Sequence, residues 1–367
     1  MKSIGILKET KENEKRVILL PKDISIFTSE FEVLVEEGLA KSLNIEDSEY
    51  IKYGAKIVSK KEVWKSDIIL KYKAVTKDEY KYLNKNTKIG AIFHAEGNED
   101  LIRELLNKKS TAYTYEFVES NDGYFPMSYP GGEIAGKMAV MYANHFLQSQ
   151  YGGKGKTLFA IRGASKAKIA VIGYGNVGGA AIRLASLLGN EVYVFGTNIN
   201  KMKKTSVYLD ENIHYFESTK ENLENILPEM DAIIGAILIS TYDTKPLITE
   251  SMVKKLSKGT VIVDVTCGYG EGYMPFIKKY TTLENPIYVN ENGIIFCKID
   301  NLPSAYPIST TEAYSSNAAS WLLKLAKHAL KLDYYQEIEN SKIVENGNIT
   351  NKVILEHWNY YNERNNL

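Results

Sequence analysis

The sequence predicts an α/β protein made of two Rossmann-like parallel-sheet domains with a cleft between them, and three observations carry that expectation. The first is a strand-turn-helix-strand run: apolar Ile169 to Ile172 flows into Gly173-Tyr174-Gly175-Asn176-Val177-Gly178, a helical stretch reaches Leu188, and Glu191 to Phe195 comes next. The second is the alternation of short apolar runs with polar helical segments between Ser3 and Phe117. Such alternation predicts parallel strands with helices on both faces. The third is a late helical pattern, Trp321, Leu322, Leu325, Ala329 and Leu332, opened by the capping-box sequence Ser309-Thr310-Thr311-Glu312 and expected to cross back to the first domain.

In order along the chain, strands are expected at Ser3 to Leu7, Glu32 to Glu36, Ala55 to Val58, Asp67 to Leu70, Lys88 to Phe93 and Ala112 to Phe117. Helical segments such as Lys61 to Trp64 and Glu99 to Leu106 separate them. Pro130 and two glycines are expected to break the pattern between Ser128 and Gly132. Ile134, Met138, Met141, Tyr142, His145 and Phe146 then predict a bridging helix, stopped by Gly152 and Gly153. Further strands are expected at His214 to Phe216, Ala232 to Ile239, Val261 to Val265 and Ile295 to Cys297. The implied boundaries are a discontinuous substrate domain, 1–135 plus 305–367, around a dinucleotide-binding domain, 136–304. In the tail a weak helix is expected at Val353 to Tyr360, with no indication of where it packs.

Composition narrows the partners. In 367 residues, 45 basic side chains balance 45 acidic ones, so no net field draws nucleic acid or an anionic membrane. Small molecules are the expected partners. Two cysteines, Cys267 and Cys297, make neither a disulfide framework nor a metal site by themselves, and no metal is expected. The start of the chain lacks a long apolar segment, and Asp231 to Ser240 is too short to span a bilayer, so a cytoplasmic location is the expectation.

The fingerprint has a physical logic. Gly173 allows the tight turn, Gly175 bares the backbone to a pyrophosphate, and Gly178 lets the helix close on the strand, with the amides of Asn176 and Val177 facing the phosphates. The second strand ends Phe195-Gly196-Thr197-Asn198, with Lys201, Lys203 and Lys204 beyond. A carboxylate there would accept ribose hydroxyls and repel a 2′-phosphate; a glycine, Thr197, Asn198 and Lys201 predict NADP(H), with NAD(H) the alternative.

Taken together, KETKENEKRVILLPKD, LKYKAV, IFHAE, the glycine fingerprint, DAIIGAILI and DNLPSAYP resemble, nearly end to end and in order, the alanine dehydrogenase group. That group includes the NAD-binding subunit of proton-translocating transhydrogenase, saccharopine-forming lysine-ketoglutarate reductases and carboxyethylornithine synthase. LPKDISIF with LVEEGLAKSLNIEDSEY is similar to carboxyethylornithine synthase, and KIDNLPSAYP to the lysine-ketoglutarate reductases. The resemblance implies that Arg16 and Lys73 bind a 2-oxo acid and that His94 moves a proton or orients substrate. It also places the nicotinamide against Ala236, Ile237, Leu238 and the Asn301-Leu302 turn, and it implies a homo-oligomer.

Read without the resemblance, Arg16 is a solvated residue of a charged turn, Lys73 and His94 are strand-end residues, and Lys71, on the same face as Lys73, is an alternative to it. Glu116 and Glu133 are further candidates near the expected cleft. The family's aspartate after the VDV strand is replaced by Gly268. That departure argues against simple alanine deamination and for NADPH-dependent reduction of the C=N bond between a 2-oxo acid and an amine or amino acid. An alanine dehydrogenase-like deaminase, or an inactive dinucleotide-binding sensor, are the alternatives.

Overall fold

The structure, a computed structural model, describes residues 1–205, 212–237, 246–266, 273, 274, 276, 277 and 279–365. The chain divides into two compact units, Met1–Pro130 with Tyr306–Leu367, and Gly131–Ala305.

In the first unit, β1 (Ser3–Ile6), β2 (Glu32–Glu36), β3 (Lys56–Val58), β4 (Ile68–Lys73), β5 (Lys88–Ile92) and β6 (Thr111–Thr114) form a parallel sheet in the order β3-β2-β1-β4-β5-β6. The direction of winding therefore reverses between β1 and β4, which opens a crevice at their carboxyl ends. Both faces are apolar. Ile4, Ile6, Val33, Val35 and Leu70 pack with Phe27, Leu322 and Leu325, while Ile69, Ile89 and Ala91 pack with Val63, Leu101 and Leu105. β6 is shorter than its apolar run predicts, because Tyr115–Phe117 turns into a 3₁₀ helix.

In the second unit, β7 (Lys168–Ile172), β8 (Glu191–Gly196), β9 (Ile213–Glu217), β10 (Ala232–Gly235), β11 (Val261–Asp264), β12 (Tyr288–Val289) and β13 (Ile295–Cys297) take the order β9-β8-β7-β10-β11-β13-β12. Among the described strands of this sheet only β12 is antiparallel. The winding again reverses beside the first strand, β7, so the fingerprint turn opens at the reversal.

Two expectations about helix ends are corrected. Ser128 to Gly132 does not break the chain: a helix runs Tyr129–Phe146. Pro130 sits in its first turn, where a missing N–H costs nothing. Gly132 and Gly136 let that helix lie against Asn176–Leu187; a Cβ at 136 would stand 2.0 Å from the Val177 carbonyl oxygen. The long helix likewise starts earlier, at Pro307, so Ser309 to Glu312 lies inside it rather than capping it. It ends at Ala329, and Leu332 is left 58% exposed instead of sharing the buried face.

The tail finds its place by completing the sheet. β14 (Lys342–Glu345) pairs antiparallel with β6, and β15 (Asn348–Ile349) pairs with β14. The open edge of β6 is thereby covered. The closing helix, Lys352–Asn365, puts Ile354 in the cluster of Leu101 and Ile343. Among the described residues no helix is long and apolar enough to cross a membrane.

Candidate active site

The crevice between β1 and β4 gathers the charged residues of the opening segment. Arg16 is 2% exposed, contrary to its reading as a solvated turn residue. A guanidinium is buried only when paired, and its partner is two residues away. Glu14 takes Arg16 Nε–H at 2.7 Å and a terminal N–H at its second oxygen, and accepts the Arg16 backbone N–H at 3.0 Å. The guanidinium also lies 4.6 Å from the centre of the Tyr72 ring. Burial pushes the Glu14 carboxyl up, but Arg16 and then Lys73 outweigh it and hold it below its usual range. Thr311 and Ser315 of the long helix accept the backbone N–H groups of Val17 and Leu20, tying down the segment that carries Arg16.

Lys71 and Lys73 part company. Strand alternation places residues two apart on one face, yet the pairing of β4 with β5 shifts between Leu70 and Lys73, where three steps on β4 match two on β5. This bulge turns the two side chains into different surroundings. Lys71, fully buried, bonds Glu9 at 2.8 Å and lies 3.4 Å from Glu79, which also holds Lys60. Lys73 instead brings its Nζ to 3.1 Å from His94 Nε2. Lys71 is thus a structural cation, and the expectation that it shares a face with Lys73 is corrected.

His94 follows β5 at φ 46°, a left-handed conformation uncommon for a residue with a Cβ. Glu116 holds it there. Its carboxylate accepts the His94 backbone N–H at 2.7 Å, that of Phe93 at 3.2 Å, and the Thr114 hydroxyl, and lies 3.6 Å from His94 Nδ1. Facing an ammonium, Nε2 must offer its lone pair, so the proton belongs on Nδ1, toward Glu116. Desolvation and then the charges of Lys73, Lys11 and Arg16 hold the imidazole well below its ordinary 6.5. The side chain keeps 39% exposure, so the direction rests chiefly on the neighbouring cations. Glu96, two residues on, is pushed up to about 7 by burial and then by Glu116. Glu9, Glu14 and Glu96 stand in the quoted segments without being singled out there: Glu9 and Glu96 acquire their surroundings from other strands, and the Glu14 pair gains its weight only from the burial of Arg16.

The depressed imidazole makes stability depend on pH. With the folded His94 below 6.5 and the unfolded one near it, the unfolded chain binds the extra proton first. Stability attributable to His94 is complete above 6.5 and is lost as pH falls from there through the folded value. Urea unfolding from pH 7.5 to 5 is expected to show a shallower slope for His94→Gln than for the unchanged protein. Equal slopes would remove His94 from the account.

In the second unit the fingerprint has the geometry of a phosphate cradle. Gly173 has φ 105°, and a Cβ there would meet the Ala236 carbonyl oxygen at 2.5 Å. A Cβ on Gly178 would lie 2.1 Å from the Gly173 oxygen, whereas one on Gly175 would meet no protein atom within 4 Å. That side is left bare, as the pyrophosphate site expected from the sequence requires. The first helical bond runs from Gly179 N–H to Gly175 O at 2.7 Å, so the amides of Asn176, Val177 and Gly178 precede the helix's own ladder. Gly178→Ala is expected to weaken dinucleotide binding at least tenfold and to cost about 1–3 kcal/mol of stability, read by fluorescence titration and melting; unchanged binding would count against the cradle.

At the end of β8 the case for a 2′-phosphate loses two of its parts. The room at Gly196 is taken by the Tyr174 ring, which a Cβ would strike at 2.4 Å. Asn198 Oδ1 accepts the Lys201 backbone N–H at 3.0 Å, and so serves the following turn. Thr197 and Lys201 are exposed. Ala236 and Ile237 lie beside the Gly173 turn, with Ala236 N–H bonded to the Ile172 carbonyl and the Ile237 carbonyl taking the Thr266 hydroxyl. Asn301, at φ 68°, heads a turn after β13, while the Leu302 side chain belongs to the core. Leu238, Cys267, Gly268 and Glu271 lie outside the described residues.

Glu133, the other acidic candidate, is paired with Lys137 one helical turn away. Two further histidines are also paired, His214 with Glu191 and His328 with Glu339. Asp264 is buried against Lys298 at 2.7 Å and the Tyr273 hydroxyl at 3.2 Å. Burial pushes the Cys297 thiol up to about 12. Among the described residues no group of metal-ligating side chains is assembled.

Comparison with known proteins agrees with this layout. The profile for the alanine dehydrogenase/PNT N-terminal domain matches residues 5–134, and that for the C-terminal domain matches residues 139–352. An alanine dehydrogenase of Staphylococcus epidermidis is 31% identical over 363 residues, 97% of each chain. Alanine dehydrogenase 2 of Staphylococcus aureus is 30% identical over 357 residues, covering 96% of this chain and 95% of its own. Among solved structures, an L-alanine dehydrogenase superposes with a TM-score of 0.84 at 26% identity, over 97% of this chain and 99% of its own. A transhydrogenase from Sinorhizobium meliloti shares the fold, with a TM-score of 0.76 at 20% identity over 96% and 99% of the two chains. With both domain profiles matched in order across two α/β units, the chain belongs to the alanine dehydrogenase/PNT family, a family of nicotinamide-dinucleotide oxidoreductases.

Proposed function

We propose that the chain oxidises and reduces the C–N bond of a small amino acid, interconverting it with its 2-oxo acid, in the manner of the alanine dehydrogenases it is similar to. The observation that carries this reading is the Lys73 ammonium, 3.1 Å from an imidazole kept unprotonated, in the same crevice as buried Arg16. A substrate carboxylate is drawn by the Arg16 and Lys73 charges. The Lys73 ammonium opposes negative charge on a carbonyl oxygen, and neutral His94 takes and returns a proton. Glu116 keeps the ring in the tautomer with its free nitrogen toward the chemistry. Gly173, Gly175 and Gly178 would hold the pyrophosphate of a nicotinamide dinucleotide, which when bound supplies the two-electron redox step. NAD(H) is the cofactor of this proposal: the relatives are alanine dehydrogenases, and the space at Gly196 is filled by Tyr174. The NADP(H) preference expected from Thr197, Asn198 and Lys201 has no support from those relatives.

One sequence observation favours a second reading. Gly268 stands where the family carries an aspartate, which suits a reductive condensation whose substrate brings its own amine. The two are separated by following NADH and NADPH absorbance with pyruvate or 2-oxoglutarate, supplying ammonia in one series and lysine or ornithine in the other. Turnover with ammonia and NADH is expected. Turnover only with an amino acid would overturn it in favour of condensation, and cofactor binding without turnover on any pair would favour a sensor.

A further inference from the structure

β1 and β4 pair through Ile6 and Leu70, and the last bond between them runs from Leu7 N–H to the Leu70 carbonyl at 3.2 Å. Beyond it the two strands diverge, and the N–H groups of the β4 bulge face a gap that the Glu9 carboxylate fills. One oxygen accepts Tyr72 N–H at 2.8 Å and Lys73 N–H at 3.2 Å; the other accepts Lys71 Nζ at 2.8 Å. The Glu9 side chain is 3% exposed. A carboxylate therefore stands in for two missing ladder acceptors at the point where β4 turns Lys73 away from Lys71.

We propose that Glu9 is a positioning residue: by accepting the bulge N–H groups it sets the backbone from which Lys73 reaches His94, so that the Lys73–His94 pair is built by a side chain acting through the Lys73 backbone. The inference rests on the function proposed above only for its consequence on turnover. The placement of Lys73 is testable without it. The carboxylate is bound to Lys71 as well, so the ion pair and the acceptor role must be separated. Glu9→Gln with Lys71→Gln removes both charges and keeps a carbonyl oxygen at position 9. Glu9→Leu with Lys71→Met removes both charges and every acceptor, while Glu79 keeps Lys60 at 2.8 Å.

The test is the titration of His94 followed by NMR in the full-length protein and both double variants, each checked by melting. The charged groups acting on the imidazole are Lys73 on β4, Lys11 and Arg16 after β1, and Glu116 after β6, while Glu14 sits against Arg16 and Lys73, and Glu96 against Glu116. In the unchanged protein and the Gln/Gln variant His94 is expected to titrate well below 6.5. In the Leu/Met variant Lys73 moves away, and the value is expected to rise toward the ordinary range. Where turnover is measurable, kcat is expected to fall about tenfold to a hundredfold in the Leu/Met variant alone, with dinucleotide KM unchanged. A folded Leu/Met protein with an unmoved His94 titration would overturn the proposal. Should that variant not fold, amide exchange in the unchanged protein decides: Tyr72 and Lys73 amides are expected to be protected as strand amides are, and exchange at the rate of an exposed loop would overturn it. Absence of turnover in the unchanged protein would count against the proposed function and leave these readouts standing.

Discussion

Replacing Lys73 by alanine is expected to lower kcat by about a hundredfold to a thousandfold, the loss typical of deleting one preorganised electrostatic group at a reacting centre. The melting temperature should stay within a few degrees. The asymmetry has a physical origin. Lys73 bonds the imidazole of a half-buried histidine, a neutral partner that loses no charge balance when the ammonium goes. Glu14 keeps Arg16, so no carboxylate is stranded there. Steady-state kinetics with NADH, together with a thermal melt, check both halves. A kcat within threefold of the unchanged protein would remove Lys73 from the chemistry, and a collapse of stability would reassign it to the fold.

The second large effect belongs to its neighbour. Lys71→Met is expected to cost about 3–5 kcal/mol of unfolding free energy, because it strands a buried carboxylate that its cation had neutralised. Glu9 would keep its two backbone donors and lose the ammonium bonded to it, and Glu79 would keep Lys60. Burial already pushes the Glu9 carboxyl up despite Lys71. The variant is therefore expected to relieve part of its strain by taking up a proton, and its stability deficit should shrink toward low pH. Urea unfolding at two pH values measures this. A Lys71→Met protein of unchanged stability whose turnover was lost would mean that the two lysines have exchanged roles.

The two lysines mark a wider boundary between features legible in the chain and features that were not. The fingerprint from Gly173 to Gly178 was legible because its geometry is local: the turn, the bare backbone and the helix start succeed each other within six positions. The strands of both sheets were legible for a similar reason, since a parallel sheet buried on both faces writes itself as apolar runs. Helix ends were less so. Pro130 reads as a break and Pro307 gives no start signal, because a proline that breaks a helix interior is at home in its first turn, and which it does depends on the residues after it. The tail gave no destination because β14 is chosen by the open edge of β6, more than two hundred positions earlier.

The residues of the crevice show the boundary most sharply. Their types were readable: an arginine, two lysines and a histidine at the ends of apolar runs, in an order similar to that of a known family. Arg16 as a buried cation was not readable, since burial depends on the β1/β4 reversal and on the long helix returning from the far end of the chain. Nor was the use of Gly196, whose missing side chain suggests room for a phosphate until the Tyr174 ring is seen to occupy it. Sequence alone determined that a dinucleotide fold with this set of charged side chains would form, because spacing and apolar pattern act over a few residues. Which lysine faces the histidine was decided only in three dimensions, where a carboxylate from the turn after β1 meets a bulge in β4 and overrides the strand's own alternation.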